Sequence, residues 1–196
     1  MWKKMVSSEI INLAENIQTF TSNAYLIKGE TPVLIDAGNN PKILENLTDE
    51  IEELDKILLT HFHPDHVGQV EEIKDRFDSK VLAFNEEENW VDEAVEDRRK
   101  IEAGNKEFTA IYTPGHHPSH MVFYGDGVLF SGDLIFPGGS YGRTDLPGGN
   151  SEKLAESVKK VKNLVDGDLE KLYPGHMSPV LNNAEEEIRR CWDLLK

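Results

Sequence analysis

From residue 9 to residue 36 the apolar positions come in short bursts: Ile10-Ile11-Asn12-Leu13, Ile17-Gln18-Thr19-Phe20, Ala24-Tyr25-Leu26-Ile27 and Val33-Leu34-Ile35. Turn formers such as Glu15-Asn16, Thr21-Ser22-Asn23 and Lys28-Gly29-Glu30 separate them. Short apolar bursts bounded by turn residues predict an antiparallel meander. Asp36-Ala37-Gly38 then closes the last strand and starts a loop. After Pro41, which suits the opening of a helix, Ile43, Leu44, Leu47, Ile51 and Leu54 recur at helical spacing. Ile57-Leu58-Leu59 reads as a buried strand, residues 68–77 as a helix with Val70, Ile73 and Phe77 on one stripe, and residues 80–84 as another strand. Residues 85–100 are acidic and carry Trp90, Val91, Ala94 and Val95, which predicts a helix, either solvated or capping a cleft.

The second half repeats this order. Strands are expected at 108–112, 121–124 and 128–131, before a loop rich in glycine and proline that runs to Gly149. Asn150 or Ser151 can cap a helix whose inner face is Leu154, Val158, Val161, Leu164 and Val165. A last strand at 171–173 and a helix over 183–195 finish the chain. Two strand-rich halves of similar order predict an α/β protein with two sheets face to face and helices outside, one domain over residues 1–196.

Charge narrows the partners. The formal net charge of −15 argues against nucleic acid, whose binding rests on neutralising phosphates, and against anionic membrane surfaces. Residues 1–9 lack the apolar core of a signal peptide, and no apolar run reaches transmembrane length. The single cysteine, Cys191, excludes an internal disulfide and fits a reducing cytoplasm; it lies in a helical pattern away from the histidines, so no catalytic role is expected of it.

The chemistry is concentrated in Thr60-His61-Phe62-His63-Pro64-Asp65-His66, straight after the apolar run at 57–59. His61 and His63, two apart in extended chain, project to one side, and Pro64 turns the chain so that Asp65 and His66 face the same space from another direction. Imidazole suits zinc or iron and carboxylate suits harder ions, so this segment can serve two adjacent metals. His116, Asp133 and His176 each follow an expected strand in a Gly- or Pro-rich loop, where a rigid scaffold can aim them at one point. Seven groups divide naturally into two sites bridged by one carboxylate.

The segments 60–66, Thr113-Pro114-Gly115-His116, Ser131-Gly132-Asp133 and Pro174-Gly175-His176 resemble the metallo-β-lactamase-fold superfamily across essentially the whole chain. The resemblance implies an αββα sandwich with His61, His63 and His116 on one metal, Asp65, His66 and His176 on a second, and Asp133 bridging. It places Asp36 and His120 behind the ligands, Asp36 orienting a histidine or shaping the strand-end turn, and gives His117 no role beyond solvent contact. Two divalent ions, zinc first with iron or manganese also suited, can share a hydroxide and polarise the bond under attack, with Asp65 and Asp133 as the catalytic carboxylates. That chemistry fits hydrolysis of a small-molecule substrate. Aspartate rather than cysteine at 133 departs from the common zinc β-lactamases.

The loop Gly142-Arg143-Thr144-Asp145-Leu146-Pro147-Gly148-Gly149 resembles the short branch of glyoxalase II-like proteins, implying a thioesterase. Persulfide dioxygenases carry a similar stretch, so a mononuclear iron enzyme using His61, His116 and Asp133 is the alternative, with lactonases and phosphodiesterases of the fold behind it. The chain from His176 to Lys196 is too short for the helical domain that helps glyoxalase II bind glutathione. Tyr141 and Arg143 are the substrate-binding candidates. Arg143 either grips a substrate carboxylate or pairs with Asp145 to hold the loop.

Overall fold

The structure is a computed structural model and describes residues 9–196; the expectation of no signal peptide falls on residues 1–8 and lies outside them. The first sheet contains β1 (Ile10–Asn12), β2 (Tyr25–Ile27), β3 (Val33–Ile35), β4 (Lys56–Leu58), β5 (Lys80–Ala83) and β6 (Glu93–Ala94), side by side in chain order. β1 to β3 pair antiparallel and β3 to β6 parallel. The second sheet runs β11 (Lys171–Pro174), β10 (Val128–Gly132), β9 (Met121–Gly125), β8 (Lys106–Tyr112), β7 (Lys100–Ala103), with only β10 and β11 parallel.

Side-chain alternation builds the layers. Leu26, Leu34, Ile57 and Val81 lie in register across the first sheet and pack outward against Ile43 and Leu47 of α1 (Lys42–Glu50) and Val70 and Ile73 of α3 (Val70–Phe77). In the second sheet Ile111, Val122, Leu129 and Leu172 face outward to α4 (Ser151–Val165) and α5 (Ala184–Leu195). Their neighbours Tyr25, Ile35, Leu58, Phe108, Phe123 and Phe130 turn inward and form the core between the sheets. The result is the expected αββα sandwich.

Three local expectations need correction. Residues 85–100 form no helix: irregular chain and turns carry the two-residue β6, and Lys100 begins β7. Backbone donors there are drawn into sheet pairing, with Asp92 N bonded to Val81 O at 2.9 Å and Val95 N to Ala83 O at 2.7 Å. Lys74 Nζ and the Val81 amide hold Asp92 at 2.7 and 2.8 Å, which fixes that edge extended. Residues 17–20 are no strand either, because β1 pairs directly with β2 and the chain between them loops out. The helix expected from residue 68 starts at Val70, with the short α2 (Pro64–Val67) before it.

Candidate metal centre

Every candidate ligand sits where a strand ends on one shared rim. β3 ends at Ile35 and delivers Asp36, β4 leads into residues 60–66, β8 into His116, β10 into Asp133 and β11 into His176. His63, pushed extended by the following proline, has φ −65° and ψ 142°, and Pro64 opens α2, which carries Asp65 and His66.

Two clusters form. In the first, His63 Nδ1 lies 3.0 Å from His61 Nε2 and 2.9 Å from His116 Nε2. In the second, His176 Nε2 lies 3.1 Å and His66 Nε2 3.8 Å from Asp65 Oδ2. Asp133 stands between them: Oδ2 is 3.4 Å from His116 Nε2 and 3.6 Å from His176 Nε2, while Oδ1 is 3.3 Å from His66 Nε2.

Backing groups fix which ring nitrogen faces inward. Asp36, buried and held at φ 57°, accepts the Thr60 amide, the Thr60 hydroxyl and His66 Nδ1, each at 2.8 Å. Thr60 Oγ1 has thus spent its proton and accepts from His61 Nδ1 at 3.0 Å. His116 Nδ1 donates to the Arg143 carbonyl at 2.7 Å. The unprotonated Nε2 atoms of His61 and His116 therefore both aim at His63 Nδ1, and one proton there can satisfy only one of them. Lone pairs converging in this way fit a cation, since zinc–nitrogen bonds of about 2.0–2.1 Å set tetrahedral ligands roughly 3.3 Å apart. In the second cluster His66 Nε2 and Asp133 Oδ1 are buried without a hydrogen-bond partner, which the same reading explains. His120, fully buried, accepts the Asp133 amide at Nε2 (3.1 Å) and is backed at Nδ1 by Thr113 Oγ1 (2.9 Å), so it positions Asp133.

Arg143 and Asp145 form two parallel hydrogen bonds of 2.7 Å on an exposed loop. Arg143 thus makes the pair with Asp145 that its loop-holding expectation describes, and its carbonyl is bonded to His116. Tyr141 is partly exposed beside it. His117, expected to face solvent, is half-buried with its ring 5.0 Å from that of His63 and its Nδ1 accepting from the Ser119 amide; burial first, then His63 and His116, push it down to about 4. Cys191 is fully buried under α4, and burial pushes its thiol up to about 12, consistent with no nucleophilic part. Sequence reasoning missed the part played by Thr60, legible as the hydroxyl residue preceding the first histidine, and by two glycines that leave room at the centre: a Cβ on Gly142 would fall 2.8 Å from His116 Nδ1, and one on Gly175 would overlap Asp133 Oδ1.

The two clusters differ electrostatically. Burial, reinforced by neighbouring imidazoles, lowers His61 and His63, and burial lowers His116 despite Asp133. Burial would also lower His66, but Asp36 and Asp133 outweigh it and carry His66 well above the ordinary histidine value. Asp133 shows the converse: burial would raise it, and His66, His176 and His116 hold it well below the usual carboxylate range. Metal binding needs unprotonated imidazole. The first cluster offers its lone pairs freely at neutral pH, whereas filling the second displaces a proton from His66. Acidification through the histidine range should therefore release an ion from the His66 side first, then one from the three-histidine side. Metal retained after dialysis at stepped pH checks this, and loss of both ions in a single step would contradict it.

Histidines and carboxylates gathered at the ends of strands from two packed sheets define a metal-binding αββα protein. The chain belongs to the metallo-beta-lactamase superfamily, whose family model matches residues 17–176. It is 33% identical over 136 residues to a hydroxyacylglutathione hydrolase of Photobacterium profundum, covering 68% of this chain and 53% of that protein. It thus spans about half the length of that relative. A probable metallo-hydrolase of Bacillus subtilis, YqgX, is 30% identical over 162 residues, with 70% of this chain and 76% of that one covered. Among solved structures, TTHA1623 in a di-iron-bound form superposes with a TM-score of 0.72 at 30% identity, covering 88% of this chain and 94% of that one. No described helix is long and apolar enough to cross a membrane.

Proposed function

We propose that the chain is a hydrolase using two divalent ions, zinc foremost with iron or manganese also suited, to cleave a small-molecule thioester. The observation that carries this is Asp133, whose two oxygens face ligand-type nitrogens of both clusters at 3.3–3.6 Å. The hydroxyacylglutathione hydrolase relatives support the thioester class. Ions bound there would bring the pKa of a shared water towards neutrality and polarise the acyl oxygen.

The chain's own residues supply the rest. His61, His63 and His116 hold one side of the centre, Asp65, His66 and His176 the other. Asp36, Thr60, His120 and the Arg143 carbonyl keep these groups from turning away. Asp65, partly exposed and 3.1 Å from His176 Nε2, is the carboxylate that would take the proton from the attacking water. In the overall step water oxygen bonds to the acyl carbon, the carbon–sulfur bond breaks, and the products are a carboxylate and a thiol that takes up a proton.

No side chain is acylated on this route. A single turnover in oxygen-18 water should place one labelled oxygen in the product carboxylate, and Cys191→Ala should leave turnover unchanged. An acyl group trapped on a protein side chain would refute the mechanism.

A further inference from the structure

Phe20 is 77% exposed, yet its ring stacks on His176 with centroids 5.4 Å apart and planes at 17°. The loop presenting it is tightly held. Asn40 Nδ2 donates to Thr19 Oγ1 at 2.8 Å, and the Asn39 amide donates to Thr21 Oγ1 at 3.0 Å. On the other side the Ser22 amide bonds the Asp65 carbonyl at 3.1 Å and the Asn23 amide bonds the Gly175 carbonyl at 2.7 Å. The loop is thus pinned to the two segments that carry Asp65 and His176, and it still leaves a large aromatic in water. Met177, 60% exposed, adjoins it through the Asn23 Nδ2 bond to the Met177 carbonyl, and Phe136 meets the His176 ring edge-on at 6.1 Å. An apolar surface held beside a polar centre marks a ligand contact.

Charge around the same rim agrees. Residues 16–24, 36–41, 60–69, 113–120 and 174–183 contain neither lysine nor arginine, and residues 133–150 contain only Arg143, already paired with Asp145. A carrier bearing carboxylates finds a single cation on these segments, Arg143, and that one is paired with Asp145.

We infer that Phe20, with Met177 and Phe136, forms an apolar subsite selecting thioesters with an uncharged, apolar acyl group on an uncharged thiol, in preference to anionic thiol carriers. The inference rests on the thioesterase reading and deepens it. Phe20 is a positioning residue: it packs against substrate atoms away from the reacting bond.

The experiment compares phenylacetyl and acetyl thioesters of N-acetylcysteamine with the corresponding glutathione thioesters, on metal-loaded wild type, Phe20→Ala and Phe20→Trp. Losing one aromatic contact should raise KM about tenfold for the neutral phenylacetyl substrate. The kcat, the acetyl substrate, metal content and melting temperature should stay put, and Phe20→Trp should restore KM. Binding is measured in parallel with ketone analogues in which methylene replaces sulfur; the neutral phenyl analogue should bind more tightly than its glutathione counterpart and lose affinity in Phe20→Ala. Hydrolysis of no thioester, with that binding pattern intact, would remove the thioesterase reading and leave the subsite standing. A wild-type preference for the glutathione compounds, an equal loss on phenylacetyl and acetyl substrates, or loss of metal in Phe20→Ala would overturn the subsite.

Discussion

Asp133→Ala is expected to disable both halves of the centre at once. The carboxylate lies within 3.6 Å of nitrogens on His66, His116 and His176, so removing it takes a partner from each cluster. It also removes the negative charge that helps carry His66 upward. Loss of an outer supporting group at a metal site costs about 10–100-fold in affinity or activity, and loss of a shared ligand should exceed that range. Metal content should fall at both sites and hydrolysis by more than about 100-fold. His66→Ala should mainly deplete its own side. Elemental analysis of the two variants separates these outcomes; a full complement of metal in Asp133→Ala would remove the bridging role.

Gly175→Ala should come close to the same effect without touching any ligand. A Cβ built there overlaps Asp133 Oδ1 and falls 2.8 Å from His66 Cε1. Gly175 is not among the residues with positive φ, so its backbone accepts alanine; the conflict is mainly with the two side chains, with the Gly132 backbone carbon 3.0 Å from the added Cβ. In the metal-free chain Asp133 can swing aside, and the melting temperature should shift by less than about 4 °C. With metal the displaced carboxylate cannot serve both clusters, and affinity should drop about 10–100-fold. A variant that binds metal normally would mean the carboxylate has room the structure does not show.

The centre was legible because its ligands cluster in sequence. Four of them fall within residues 61–66, and the other three follow apolar strand runs directly, so strand ends converge on one rim. Asp36 and His120 were legible only through resemblance, since a single buried carboxylate or histidine has no pattern of its own. Residues 85–100 misled because apolar positions at 90, 91, 94 and 95 suit a helix face as well as a sheet edge, and only Lys74 and Val81, distant in sequence, hold Asp92 extended. Phe20 was unreadable for a related reason. Its burst of apolar residues is that of a strand, and what exposes it is the direct pairing of β1 with β2 and the pinning of its loop by Asn39, Asn40, Asp65 and Gly175. Arg143 was legible in two ways: an arginine in a glycine-rich loop suits an anion, and Asp145, two residues on, can take two parallel hydrogen bonds from it, as it does in the structure.

A centre of two ions that cleaves an acyl–sulfur bond is tested by metal stoichiometry on anaerobically purified protein, with thioester cleavage and oxygen consumption followed on the same sample. Two ions per chain, thioester cleavage that follows metal content, and no oxygen uptake with a persulfide are expected. One firmly held iron per chain, with persulfide-dependent oxygen consumption and no thioester cleavage, would contradict this.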